Sequence, residues 1–367
     1  MIRSAMLDEI PGYRGPLRER ARKRRPEQRR ALWIGGGSIS IPGDPRSSAA
    51  GFNGQFASLF PGAYQVLQSD LGLTYGGTPL ATGTTPPVGT LSGSLATVPV
   101  PLWFKCTTAG PIGGAARFAA YADGLGVTPF QTNIAPAAGV PVALAAPCVG
   151  LSHAWAAGTA ALDNVWKATC AGWADQTANG LNASNVVPAT QPVITIGLNG
   201  KPGLLFDGIN DVLRHAMIAS GTNPLQMIVI GRLLNNASAN QCFIGDAFDG
   251  TGAILCLGSG GNVIRMFNGV HANPVTPASL LVPIRISATF TGSIADEMRA
   301  GSVSATGTSA GALHSIQQPG IGTDEAFSLY ANAEIFCVIR TPPVASLAAF
   351  DSALNSAAGY GPGAIAV

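Results

Sequence analysis

The sequence predicts an all-β protein: two β-sandwich domains, a small one followed by a larger one, behind a basic arm that is extended or partly helical. Three observations lead there. The chain has 47 Gly and 27 Pro in 367 residues, and both residue types interrupt helices and punctuate strands. Its 47% hydrophobic content is ample for a buried core. Its charge is unevenly placed: residues 1–46 carry 11 Lys/Arg against 5 Asp/Glu, net +6, while the rest of the chain is net −4.

Residues 1–46 form the arm. Arg14, Arg18, Arg20, Arg22, Lys23, Arg24, Arg25, Arg29 and Arg30 crowd one segment. Pro16 and Pro26 bound any helix between them to a short one. Three readings are open: a solvated tail, a docking arm for acidic subunit surfaces, and a nucleic-acid contact. Tyr13 and Trp33 are its only aromatics, which leaves no base-stacking platform and favours protein docking. Residues 47–90 are rich in Gly, Pro, Ser and Thr and read as a linker or extended segment, broken by the apolar island Phe56-Ala-Ser-Leu-Phe60.

Residues 91–168 carry the small sandwich. The stretch Ala96 to Cys106 alternates around Val98, Val100, Leu102 and Phe104, the period of a half-buried strand. Residues 169–367 carry the larger sandwich. Its expected strands are 203–206, 225–233, 242–245, 253–257, 263–267, 283–290, 327–330 and 333–340, with a helix over 344–355 after Thr341-Pro342-Pro343. A fragment starting near residue 166 is expected to contain all of it and to fold alone.

Two signatures frame that larger region. Trp173-Ala-Asp-Gln-Thr-Ala-Asn-Gly-Leu-Asn182 is followed by Phe206-Asp207-Gly208 and Asp211, and Ala333-Glu334-Ile335 opens the last strand. Together they resemble the opening and closing of concanavalin A-like (LamG-type) jelly-roll domains, especially those of bacteriophage structural proteins. Gly113 to Gly124, with Asp163-Asn164-Val165-Trp166, similarly resembles a small β-sandwich module of phage tail proteins. The resemblance implies a scaffold that displays loops in a virion tail, baseplate or capsid surface. Its partners would be other virion structural proteins and further copies of itself, after synthesis in the host bacterial cytoplasm. No secretory signal or membrane-spanning run is expected.

The resemblance supplies no mechanism, and the residues supply none either. His153, His215, His271 and His314 are dispersed, and the six cysteines (106, 148, 170, 242, 256, 337) lack C-x-x-C spacing, so they read as buried thiols. Glycosidases also use this fold and need two carboxyl groups, commonly as Glu-x-Asp-x-x-Glu. Beyond residue 20 the glutamates are Glu27, Glu297, Glu325 and Glu334, none in that spacing. Asp296-Glu297 and Asp324-Glu325 read as exposed turns. The chain is therefore expected to be non-enzymatic, without catalytic residues.

Trp173, Asp175, Asn179, Asp207, Asn210 and Asp211 make a candidate glycan or calcium loop, calcium being the one candidate cofactor. The competing and favoured reading is that Asp and Asn satisfy backbone groups in tight turns. Trp155, Trp166 and Trp173 likewise suit core packing better than sugar stacking. A glycan-binding host-adsorption module is the alternative function, and a carbohydrate-active hydrolase comes third.

Overall fold

In the computed structural model the larger sandwich is assembled from two separate stretches of chain. The structure describes residues 56–367 except 58, 96–98, 125, 217–224, 236–240, 246–252, 258–262, 269–270, 278, 292–295, 308–319, 324–328, 357–358 and 362. The basic arm, Arg14 to Arg30, and the Asp324-Glu325 pair lie outside the described residues.

One sheet runs in the order Val193–Ile196, Pro202–Asp207, Asn332–Thr341, Leu225–Leu233, Ile284–Phe290, Asp296–Ala300, Val303–Gly307, and Gln65–Gln68 also pairs with Asn332–Thr341. The facing sheet runs Leu73–Tyr75, Cys170–Trp173, Ala183–Ser184, Leu213–His215, Gly320–Ile321, Gln241–Gly245, Ala253–Leu257, Ile264–Asn268, His271–Val275. All these pairings are antiparallel. One core cluster draws on both sheets: Leu204, Phe206, Met227, Val229 and Ile286 from the first, Trp173, Leu213, Phe243, Ile244 and Met266 from the second. Residues from both sheets meet in that core, which defines a two-sheet sandwich.

Two expectations change here. The segment read as linker supplies Gln65–Gln68 and Leu73–Tyr75 to the larger sandwich, and Leu80–Thr82 and Gly89–Gly93 to the small one. Composition hid these strands because they are short and lie between turns. The fragment 169–367 therefore lacks two strands of its own sandwich. The closing strand also has no partner near it in sequence: Gln65 lies opposite Arg340, 275 residues away.

The central strands are apolar on both faces. Leu225, Met227 and Val229 point into the sandwich. Ile228 and Ile230 point outward, where Phe56, Phe60, Phe350, Leu354 and Tyr360 cover them. The helix is shorter than expected, Ala348–Leu354. It lies in this outer layer with Phe350 and Leu354 buried. Two buried polar pairs lie there: Lys201 Nζ is 3.1 Å from Asp70 Oδ2, and Arg340 Nη1 donates to Gln65 Oε1 at 2.6 Å. Such pairs must be satisfied because an unpaired buried charge is costly.

The expected strand at 327–330 is not seen. Residues 327 and 328 lie outside the described residues, and Leu329 and Tyr330 are not in a strand. Asp296-Glu297 is no exposed turn either; it opens the strand Asp296–Ala300, whose burial alternates. Asp296 is buried and accepts hydrogen bonds from the Thr291 backbone N–H and hydroxyl, at 2.6 and 2.8 Å.

The small module is also a sandwich, with sheets Leu80–Thr82, Val165–Lys167, Trp103–Thr108, Arg117–Tyr121, Pro129–Ile134 and Gly89–Gly93, Leu151–Trp155, Val142–Ala143. Its core is aromatic: Trp155 stacks on Phe118 at 4.4 Å, and Trp166 meets Phe118 edge-on at 5.4 Å. The Asp163–Trp166 motif fastens a loop onto it. Asp163 Oδ2 accepts the Thr84 N–H, Asn164 Nδ2 donates to Thr84 O, and Trp166 Nε1 donates to Pro87 O. His153 packs between Phe104 and Trp155, where burial lowers its pKa to about 3 and keeps the ring neutral. Cys106, Cys148, Cys170, Cys242 and Cys337 are buried free thiols.

Candidate functional site

The signature residues fold into two separate turns on the sandwich rim. Trp173 ends a strand of one sheet and is buried, with Nε1 donating to Gln68 O of the other sheet at 2.6 Å. Two residues on, Asp175 Oδ1 accepts from Val66 N (2.9 Å) and Thr177 N (3.0 Å), and Oδ2 accepts from the Thr177 hydroxyl (2.7 Å) and Leu181 N (2.9 Å). Asn179 Nδ2 donates to Ala63 O and Tyr64 O at 3.1 and 2.9 Å. This loop is a clamp that ties the chain around 63–68 to the strand that carries Trp173.

The second turn closes the strand Pro202–Asp207. Asp207 Oδ1 accepts from Ile209 N and Asn210 N, so Asn210 contributes its backbone. Asp211 Oδ2 accepts the Asp207 N–H at 2.9 Å. Gly208 sits at φ +78, with Asn332 so close that a Cβ there would lie 2.8 Å from its Cβ; only glycine suits both demands. Burial, and next the Asp207 carboxylate, raise the Asp211 pKa to about 7. No hydrogen bond joins the two turns among the described residues. Nor are any three His, Cys, Asp or Glu side chains among those residues grouped to hold a metal ion. Trp155, Trp166 and Trp173 are all core residues.

A different region carries open polar capacity. On the outer face of the first sheet, beside the helix, lies a cavity of about 240 Å³. Gln226, Ser287, Glu297 and Arg299 form its floor, and residues 344–348 with Asp351 form its wall. Strand alternation puts them there: Met298 and Ala300 face the core, so Glu297 and Arg299 face out. Ser287 lies opposite Arg299, and Thr289 opposite Glu297. The charges balance internally. Arg299 Nη2 donates to Glu297 Oε1 at 2.8 Å, and buried Arg285 brings Nε to 3.0 Å from Asp351 Oδ1, close in distance but misaligned for a hydrogen bond. Burial raises the Asp351 pKa, which Arg285 and then Arg299 oppose.

Sequence reading missed this pocket, although a signal existed. Glu297-Met-Arg-Ala300 and Arg285-Ile-Ser-Ala-Thr289 both alternate polar with apolar, which marks a face pointing away from the core. Their convergence with Gln226 and Asp351 needed the fold.

No protein-family model matches the chain, and no curated protein does. Among solved structures it is similar to a Trypanosoma rangeli sialidase in complex with the inhibitor DANA, at 12% identity and TM-score 0.38, over 52% of this chain and 32% of that one. It is similar to the botulinum neurotoxin serotype D ligand-binding domain in complex with N-acetylneuraminic acid, at 10% identity and TM-score 0.37, over 49% and 47%. An arabinofuranosidase complexed with arabinofuranosyl-alpha-1,2-xylobiose has 11% identity and TM-score 0.43, over 84% and 65%. The match spans about a third of the sialidase's length. The all-β, two-sandwich fold of this chain rests on its own sheet topology.

Proposed function

We propose that this chain is a non-enzymatic structural component of a bacteriophage particle. The observation that carries the reading is the use made of the signature residues: Trp173, Asp175, Asn179, Asp207 and Asp211 fasten the sandwich. That is the chemistry of a rigid display scaffold. The composition agrees with a body covered by neighbours in an assembly, because only 11% of the residues are charged. The basic arm is its docking element, with arginines suited to bidentate carboxylate contacts.

Quantitative mass spectrometry of purified particles tests this. The chain should be present at a fixed copy number, and deletion of residues 1–46 should remove it while leaving the particle's other proteins. Its absence from particles defeats the reading. A truncated chain still incorporated at full copy number defeats the docking role of the arm. A second reading, glycan binding on the particle surface, is favoured by the open polar capacity of the outer-face pocket.

A further inference from the structure

We infer that the outer-face pocket bounded by Gln226, Ser287, Glu297, Arg299 and Asp351 is a binding site for one neutral, polyhydroxylated ring, such as the terminal sugar of a glycan. The inference deepens the second reading above and rests on it.

The argument begins with unused hydrogen-bonding capacity. Gln226 and Ser287 are each only 4% exposed, yet both line the cavity. Gln226 Oε1 accepts from Val344 N at 3.2 Å, while its Nε2 donates to no described residue. The Ser287 hydroxyl has no hydrogen-bond partner among those residues either. Glu297 and Asp351 each present a second carboxylate oxygen beyond the one facing an arginine. Neither Gln226 Nε2 nor the Ser287 hydroxyl is sealed off, so a molecule in the cavity can reach both while the rest of each side chain stays buried. A ligand carrying several hydroxyls, each both donor and acceptor, would satisfy the amide, the hydroxyl and the two oxygens together.

Charge and size narrow the class. The two arginines and two carboxylates neutralise one another, so neither a free anion nor a free cation meets an uncompensated partner. The cavity, about 240 Å³, is below the usual range for drug-sized ligands, which limits it to a single ring. Polar groups dominate the lining, and Val344 and Leu347, partly buried against the outer-layer core, border it from the wall.

The full chain is titrated with D-glucose, D-galactose and N-acetyl-D-glucosamine, and separately with glycine and inorganic phosphate, by saturation-transfer NMR. At least one sugar should bind with a Kd near 1 mM and shift the methyl resonances of Val344 and Leu347. Ser287→Ala and Glu297→Gln should each weaken it about tenfold. The methyl shifts report on the unaltered chain should either variant fail to fold. No sugar binding at about 10 mM, binding that leaves those methyls unmoved, or preference for glycine or phosphate would each overturn the inference. None of these outcomes bears on whether the chain is a particle component, which particle composition decides separately.

Discussion

The rim turns and the outer-face pocket contain the same kinds of residues in opposite states. In the rim, Asp175 accepts four hydrogen bonds from the chain around it, and Asp207 and Asp211 hold their own turn. In the pocket, Gln226 and Ser287 keep capacity that no described residue uses, and Glu297 accepts its hydrogen bond from half-exposed Arg299. The difference teaches that a carboxylate in a recognisable motif is not thereby a ligand group. What its oxygens already hold decides the matter.

If the rim is a clamp, removing what it clamps should have the largest effect. A fragment of residues 169–367 loses Val66, Ala63, Tyr64 and Gln68, the partners of Asp175, Asn179 and Trp173. It also leaves Cys337–Arg340 paired on one side only, with Leu225–Leu233. It should show no cooperative unfolding transition in urea, whereas a fragment of residues 56–367 should show one. Cooperative folding of the shorter fragment would break the comparison.

Phe206, which precedes the second turn, is fully buried in the sandwich core. Phe206→Ala should cost about 3–5 kcal/mol, read from urea midpoints. Its ring lies where a Cβ on Gly322 would fall, 2.1 Å from Cδ1, and Gly322 is at φ +84. Gly322→Ala should therefore be destabilising as well. Asp175→Ala comes next, at about 2–3 kcal/mol, because several charge-assisted hydrogen bonds go at once.

Asp211 sharpens the comparison through pH. Its pKa is raised to about 7 from 3.8, so between those values the folded chain retains a proton that the unfolded chain has released. Stability should fall as pH rises through that window and level off above it. Asp211→Asn keeps an acceptor for the Asp207 N–H and should flatten the slope, gaining about 1–2 kcal/mol at pH 8 and little at pH 4. A variant with the parent's pH profile would remove Asp211 from that role. The smallest effects belong to the pocket: Ser287→Ala and Glu297→Gln should change stability by no more than about 0.5 kcal/mol. A larger loss would make these groups structural, like those of the rim.

Much of this was legible along the chain. The strand Leu225–Leu233 was read to the residue, because the β-rich apolar core Met227-Ile-Val-Ile230 between turn signals leaves few alternatives. Asp207-Gly208 announced its turn, and the tryptophans their burial. The linker reading of 47–90 failed because Gln65-Val-Leu-Gln68 is only four residues long, too short for a periodic signal. Glu297 and Arg299 were visible as alternating polar positions, but a single strand does not say what lies across from its outer face.

Sequence by itself determined the strand periodicity, the turns built on Asp, Asn and Gly, and the segregation of basic charge into residues 1–46. These are local properties, fixed by backbone sterics and side chains within a few residues. Tertiary structure alone decided that Gln65–Gln68 pairs with Cys337–Arg340, that Asp70 neutralises Lys201, and that Asp351 of the helix closes a cavity floored by three strands. Those partners are far apart in sequence. They meet because burying the apolar faces of the two sheets brings together segments that no local signal pairs.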